Sequence, residues 1–230
     1  MNSTISADII ASTALSSEEM FLLSKRINDL FLTLKDKFKE ADFFGRMIKG
    51  DYIECYVKDP KNALRIALML KSRVKSFELK ASMDHSLNKR RKIFKTYGIR
   101  IAIGVGPMRV VDFNSGIIDG EAIYLSGRKI AEQSSSGKDK VVIKNTLFFE
   151  MKEGAIASGC RVIVDLLDNR VNSATTRQCE ILYYKLLGLS EAEIAAKLSI
   201  KQSGVNQHSS AVGWNSIEHA LTYYEQLNFE

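Results

Sequence analysis

Two sets of side chains in this sequence have types and spacing suited to chemistry. Asp8 stands near the end of an apolar stretch, Thr4–Ile10. Asp51 closes the turn Lys49-Gly50-Asp51 between two further stretches, Phe43–Ile48 and Tyr52–Val57. If the three stretches are strands and the last two a hairpin, both carboxylates can meet at one sheet edge. Near the other end, Lys201, Gln202, Ser203, Asn206 and Gln207 gather amides, a hydroxyl and an ammonium. Amides can pair with adenine edges, and Lys and Ser suit phosphate or guanine. No Gly-rich phosphate loop, catalytic triad or metal-ligand cluster in the sequence offers a different chemistry.

The elements that must hold these residues are legible from caps and periodicity. Ser16 or Ser17 caps a long helix whose apolar face is Met20, Leu23, Ile27, Leu30, Phe31 and Leu34. Asp59-Pro60 opens a second helix, through Ala63, Ile66, Ala67, Leu70 and Val74. Glu78–Lys95 reads as a helix end and an exposed loop. Tyr97–Val105 is a strand, with Met108–Phe113 pairing back onto it. Gly120–Gln133 is an amphipathic helix, Val141–Ile143 a strand, Asn145–Glu153 a short helix, and Cys160–Leu166 a strand closing the sheet. Strands and helices alternate without a βαβ repeat, so the class is α+β. The polar stretch Asp168–Ala174 places a boundary between a domain over 1–168 and an all-α domain over 169–230.

In that second domain Thr175–Leu187 forms a helix ending at Gly188, and Ser190 caps the next. The string Ile194-Ala195-x-x-Leu198-x-Ile200-x-x-x-x-Val205 carries the packing logic of a helix-turn-helix. Ala195 is small where helices cross, Leu198 and Ile200 bracket the turn, and Val205 packs the following helix back. Trp214, Ile217, Leu221 and Tyr224 continue at helical spacing. With its leading "TTRQCEILYYKLLGLSEAEIA", the module resembles those of sigma-factor region 4 and LuxR. The resemblance implies a recognition helix from Lys201 that turns Lys201, Gln202, Ser203, Asn206 and Gln207 to a DNA groove. A small helical bundle for protein contacts is the alternative.

Three earlier segments resemble class III adenylyl and guanylyl cyclases: "ADIIASTAL", "GRMIKGDYIECYV" and "RIAIGVGPMRV" with "GIIDGEAIYLSGRKI". That resemblance implies a ferredoxin-like βαββαβ sheet. It implies Mg or Mn held by Asp8, Asp51 and the Ile9 carbonyl, to activate a ribose hydroxyl and bind a triphosphate. Arg128 matches the family's transition-state arginine. Tyr124 stands where that pattern has asparagine, Met47 where it has the base-reading lysine, and Ile117 where it has the partner aspartate. Asp119 and Glu121 supply other polar contacts to a nucleotide, or simply cap the helix. The arrangement also resembles SatD-like bacterial proteins.

The chain has 230 residues, 45% hydrophobic and 26% charged, enough for a real core. No secretory signal or membrane-length apolar run is present, and Cys55, Cys160 and Cys179 form no CxxC pair. A cytoplasmic, reduced protein is expected. The net charge is +6, yet the last sixty residues carry only Arg177, Lys185, Lys197 and Lys201 against six Glu. The basic run Lys89–Lys95 lies outside them, as a solvated loop or a phosphate-contacting arm. These readings converge on a transcription regulator that binds DNA, with a degenerate cyclase-like half for nucleotide or ligand sensing or for head-to-tail dimerisation. An active metal-dependent cyclase or related nucleotide enzyme is one alternative, and an interaction module without catalysis another.

Overall fold

The computed structural model describes residues 1–39, 42–81, 84–135 and 143–229. Strand β1 (Asn2–Ile9) lies between β3 (Tyr52–Val57) and β4 (Ile99–Gly106), antiparallel to both. β2 (Phe44–Ile48) forms a hairpin with β3, turned where Lys49 and Gly50 both take positive φ. β7 (Leu147–Met151) adds in parallel to β4, giving the order β2-β3-β1-β4-β7.

Alternation along β1 divides the sheet into two faces. Ile5, Ala7 and Ile9 join the main core with α1 (Ser17–Lys37) and α2 (Ala63–Lys75). Thr4 and Ser6 turn the other way, onto Ser126 of α4 (Glu121–Ser135), at 2.9 and 2.8 Å. Helix α4 crosses β4 so closely that a Cβ on Gly104 would lie 2.2 Å from the Ala122 carbonyl oxygen. Among the described residues, therefore, the mixed α+β expectation is met by a five-stranded sheet with helices on both faces.

Several local expectations need correction. Met108–Phe113 does not pair onto β4. β5 (Met108–Asp112) and β6 (Ile117–Gly120) form their own two-stranded ribbon. Its Phe113 stacks on Phe44 at 4.5 Å, and Arg46 Nη1 donates to the Gly116 carbonyl at 2.9 Å, folding the ribbon over β2 and β3. Asn145–Glu153 is not a helix, since it contains β7. Cys160–Leu166 is not a strand. Its β-branched run lies in α5 (Ala155–Ser173), where Ala157, Cys160, Val164, Leu167 and Val171 are buried at helical spacing. Core burial at that period outweighs β propensity. The strand expected at 141–143 lies, but for Ile143, outside the described residues.

Glu78–Lys95 is more ordered than a loop: α3 occupies Asn88–Tyr97. Only Arg91 and Phe94 of this helix are buried. Arg91 makes a two-pronged ion pair with Glu19 at 2.8 and 2.7 Å, inside the α1 capping box formed by Ser16 and Glu19. The guanidinium hydrogen bonds hold the Glu19 carboxyl down to about 2, below its ordinary 4.5. A depressed carboxylate contributes stability above the ordinary value and loses it as pH falls through the depressed one. The stability gap between the wild type and Glu19→Gln is therefore expected to narrow as acid unfolding is followed from pH 4.5 towards 2. A gap constant over that range would contradict the pairing.

Helix α5 runs through the boundary expected at residue 168. After Ala174 come α6 (Thr176–Leu186), α7 (Glu191–Leu198), α8 (Gln202–Val212) and α9 (Trp214–Glu225). Helix α6 packs along α2, and Cys179, Leu182, Leu186, Leu221 and Tyr224 share the core of the sheet. No helix among the described residues is long and apolar enough to cross a membrane.

Candidate functional site

The structure brings Asp8, Ile9 and Asp51 to one end of the β1–β3 pair. Asp8 is registered opposite Tyr52, and the Ile9 N–H donates to the Asp51 carbonyl at 3.0 Å. The carboxylates, however, are committed to different neighbours. Asp8 shares its face with Thr4 and Ser6. It meets Arg100, its register partner on β4, in an ion pair of 3.1 Å. Arg100 is 9% exposed. Asp51 accepts from Ser12 Oγ at 2.9 Å, beside a cleft lined by Ser17, Phe21 and Lys49 near the start of α1.

As placed, Asp8 is engaged by a guanidinium, while among the described residues Asp51 has a hydroxyl partner only. A buried guanidinium supplies the positive charge at Asp8 that a metal would supply, and a second cation beside it would be repelled. Among the described residues no group of three or more His, Cys, Asp or Glu is placed to hold a metal. Cys55, Cys160 and Cys179 are buried and free. Magnesium or manganese at about a millimolar, a typical excess for a ligand that binds the folded state, is expected to leave the melting temperature unchanged. A rise that grows with metal concentration and disappears in Asp8→Asn would contradict this.

Arg128 is exposed on α4, 5.8 Å from the Tyr124 ring centre. The Tyr124 hydroxyl donates to Asp119, which raises the phenol above its ordinary pKa. Asp119 also meets Arg109 at 3.3 Å. Asp119 thus ties the ribbon to the start of α4. The backbone N–H of Glu121 donates to the Pro107 carbonyl at 2.9 Å, and its own side chain is exposed.

The second constellation is assembled more completely. Ile181 of α6, Ile194 and Ala195 of α7 and Val205 of α8 form one small core, with Leu198 and Ile200 against it. Three capping interactions shape it. Thr175 and Ser190 each make a capping box, and Ser199 takes φ 52 in the turn between α7 and α8. Lys201, Gln202, Ser203, Asn206 and Gln207 are all exposed along the first turns of α8. The Asn206 amide donates weakly to Glu191 at 3.3 Å. Of the nearby cations, Arg177 is paired with Glu180 at 2.5 Å and Lys185 with Glu191 at 3.5 Å. Lys197 lies over the Tyr184 ring.

Sequence reasoning missed Arg100 and Arg91 as partners, and it missed the buried Lys71–Asp168 pair at 3.1 Å. Lys71 follows Leu64 and Ala67 on the apolar stripe of α2, a signal that could have marked it as buried.

No family model matches the chain, and no curated protein matches it. Among solved structures, two chains of a bacterial light-regulated adenylyl cyclase are similar at 14% and 15% identity, each with TM-score 0.37. Each comparison covers 64% of this chain, and respectively 42% and 74% of the other. The guanylyl cyclase Cya2 is similar at 12% identity and TM-score 0.30, over 55% of this chain and 67% of its own.

Proposed function

We propose that the chain is a transcription regulator: α7 and α8 form a helix-turn-helix that binds DNA, and the sheet is a ferredoxin-like, cyclase-type half without catalysis. The observation that supports this reading best is the solvent face of α8. Five polar side chains on its first turns are exposed, while Val205 locks the helix onto α6 and α7. A helix held this way can enter a major groove at its N-terminal end.

The Asp8–Arg100 pair supports a non-catalytic sheet, because two-metal phosphoryl transfer needs free carboxylates there. The sheet then serves ligand sensing or pairing of two chains. In a head-to-tail pair, the exposed Arg128 of one chain would approach the Asp8 end of the other, and two α8 helices would address a palindromic site. The test is binding of the intact chain to sheared double-stranded DNA at low salt, followed by fluorescence anisotropy. Saturable binding is expected, and none at any protein concentration up to the micromolar range would end the reading.

A further inference from the structure

We propose that the outer face of α3 is a second nucleic-acid contact, at which Lys89, Arg90, Lys92 and Lys95 hold backbone phosphates without reading sequence. It rests on the DNA-binding reading for the identity of the polyanion, and it supplies what α8 lacks. Phosphate neutralisation provides most of the affinity of non-specific binding. Around α8, Arg177 and Lys185 are already paired with glutamates and Lys197 lies over a tyrosine ring, which leaves Lys201 as its exposed cation at the groove.

The four cations of α3 are placed differently. All are exposed, and among the described residues none has an ion-pair partner. No acidic residue occurs between Asp84 and Asp112. Some cations elsewhere are neutralised within the chain, as are Arg46, Arg65 and Arg161. The fifth cation of the run turns inward. Arg91 grips Glu19 with both prongs and donates to the carbonyls of Ala14 at 3.0 Å and Lys80 at 2.7 Å. A solvated charge run needs no such anchor. It fixes the helix with Lys89, Lys92 and Lys95 on one outward arc of about 120°, and Arg90 on its flank.

Lys89, Lys92 and Lys95 recur every third residue, which spreads the charges over about 9 Å of helix. A duplex carries about one phosphate per 1.7 Å of axis, so it can meet all four over that length. The chemistry favours nucleic acid over an anionic membrane. A helix that lies in a membrane buries large apolar residues in the headgroup region. Here Phe94 is buried in the protein core and Ile93 is partly covered.

The experiment measures binding of the intact chain to a labelled random-sequence duplex across a series of KCl concentrations. Wild type is compared with a variant carrying Lys89→Gln, Arg90→Gln, Lys92→Gln and Lys95→Gln. The slope of log affinity against log salt is expected to become shallower by about 3 to 4, one step near 0.9 for each lost phosphate contact. Gln202→Ala with Asn206→Ala should leave that slope unchanged while weakening binding to a selected site, so failure at α8 and failure at α3 are separable. Lys92→Glu with Lys95→Glu is the second variant, should the first fold poorly, and is expected to shift the slope in the same direction. Equal slopes for wild type and variants would overturn the proposal. So would binding of wild type to phosphatidylserine vesicles without binding to the duplex.

Discussion

Replacing Asp168 by alanine is expected to destabilise the protein by about 3–5 kcal/mol, the usual cost of leaving one charge of a buried pair without its partner. Asp168 is 1% exposed and Lys71 is 0% exposed. The carboxylate accepts from the Thr146 N–H at 2.5 Å and the Thr146 hydroxyl at 2.7 Å. Lys71 Nζ also donates to that hydroxyl, at 2.6 Å. Burial lowers the Lys71 pKa and the Asp168 carboxylate opposes this, so removing Asp168 leaves the lowering less opposed. The network joins α2, the lead-in to β7, and α5, which continues towards the C-terminal helices. Its loss should therefore loosen sheet and tail together. At about 2–4 °C per kcal/mol for a chain of this size, the melting temperature should fall by roughly 6–20 °C. Lys71→Met combined with Asp168→Leu should recover much of the loss, because both charges leave together. A loss under about 1 kcal/mol for Asp168→Ala, typical of an exposed pair, would show that the pair is solvated.

Gln202→Ala combined with Asn206→Ala should weaken binding to a selected DNA site by about 2–6 kcal/mol, at 1–3 for each bidentate amide–adenine contact. That is roughly thirty-fold or more, at tenfold per 1.4 kcal/mol. Affinity for random duplex should change little, since in the proposed reading the lost groups contact bases and not phosphates. Asn206 also touches Glu191, so Glu191→Ala is the control for indirect effects on the helix. Equal losses on selected and random DNA would place α8 outside the groove.

What was legible in the sequence follows from where each signal resides. α1, the β2–β3 hairpin and the α7–α8 turn carry their instructions locally, as the Ser16–Glu19 and Ser190–Glu193 capping boxes and the Lys49-Gly50 turn. The small core of α6, α7 and α8 was readable because Ile194, Ala195, Leu198, Ile200 and Val205 alone nearly compose it. β7 and α5 were not, since a short apolar run does not reveal its period until its burial is known. α3 was hidden for a related reason: only two of its residues face inward, and one is an arginine. At the candidate site, the convergence of Asp8 and Asp51 on one strand end was legible from strand and hairpin. The Asp8–Arg100 pair was not, because it depends on the register of β1 against β4 across 92 residues. The continuity of α5 across residue 168 was masked by the polar residues of its last turns, Asn169, Arg170, Asn172 and Ser173. Asp168 itself looked like linker, although it is among the most buried charges in the chain.

Whether α8 reads DNA sequence as proposed is decided by selection from a random double-stranded library. Intact wild type and the Gln202→Ala, Asn206→Ala variant are carried through the same rounds in parallel. Wild type is expected to enrich a discrete motif, and the variant to lose it while still retaining bulk DNA. No enrichment by wild type, or the same motif from both proteins, would contradict the account.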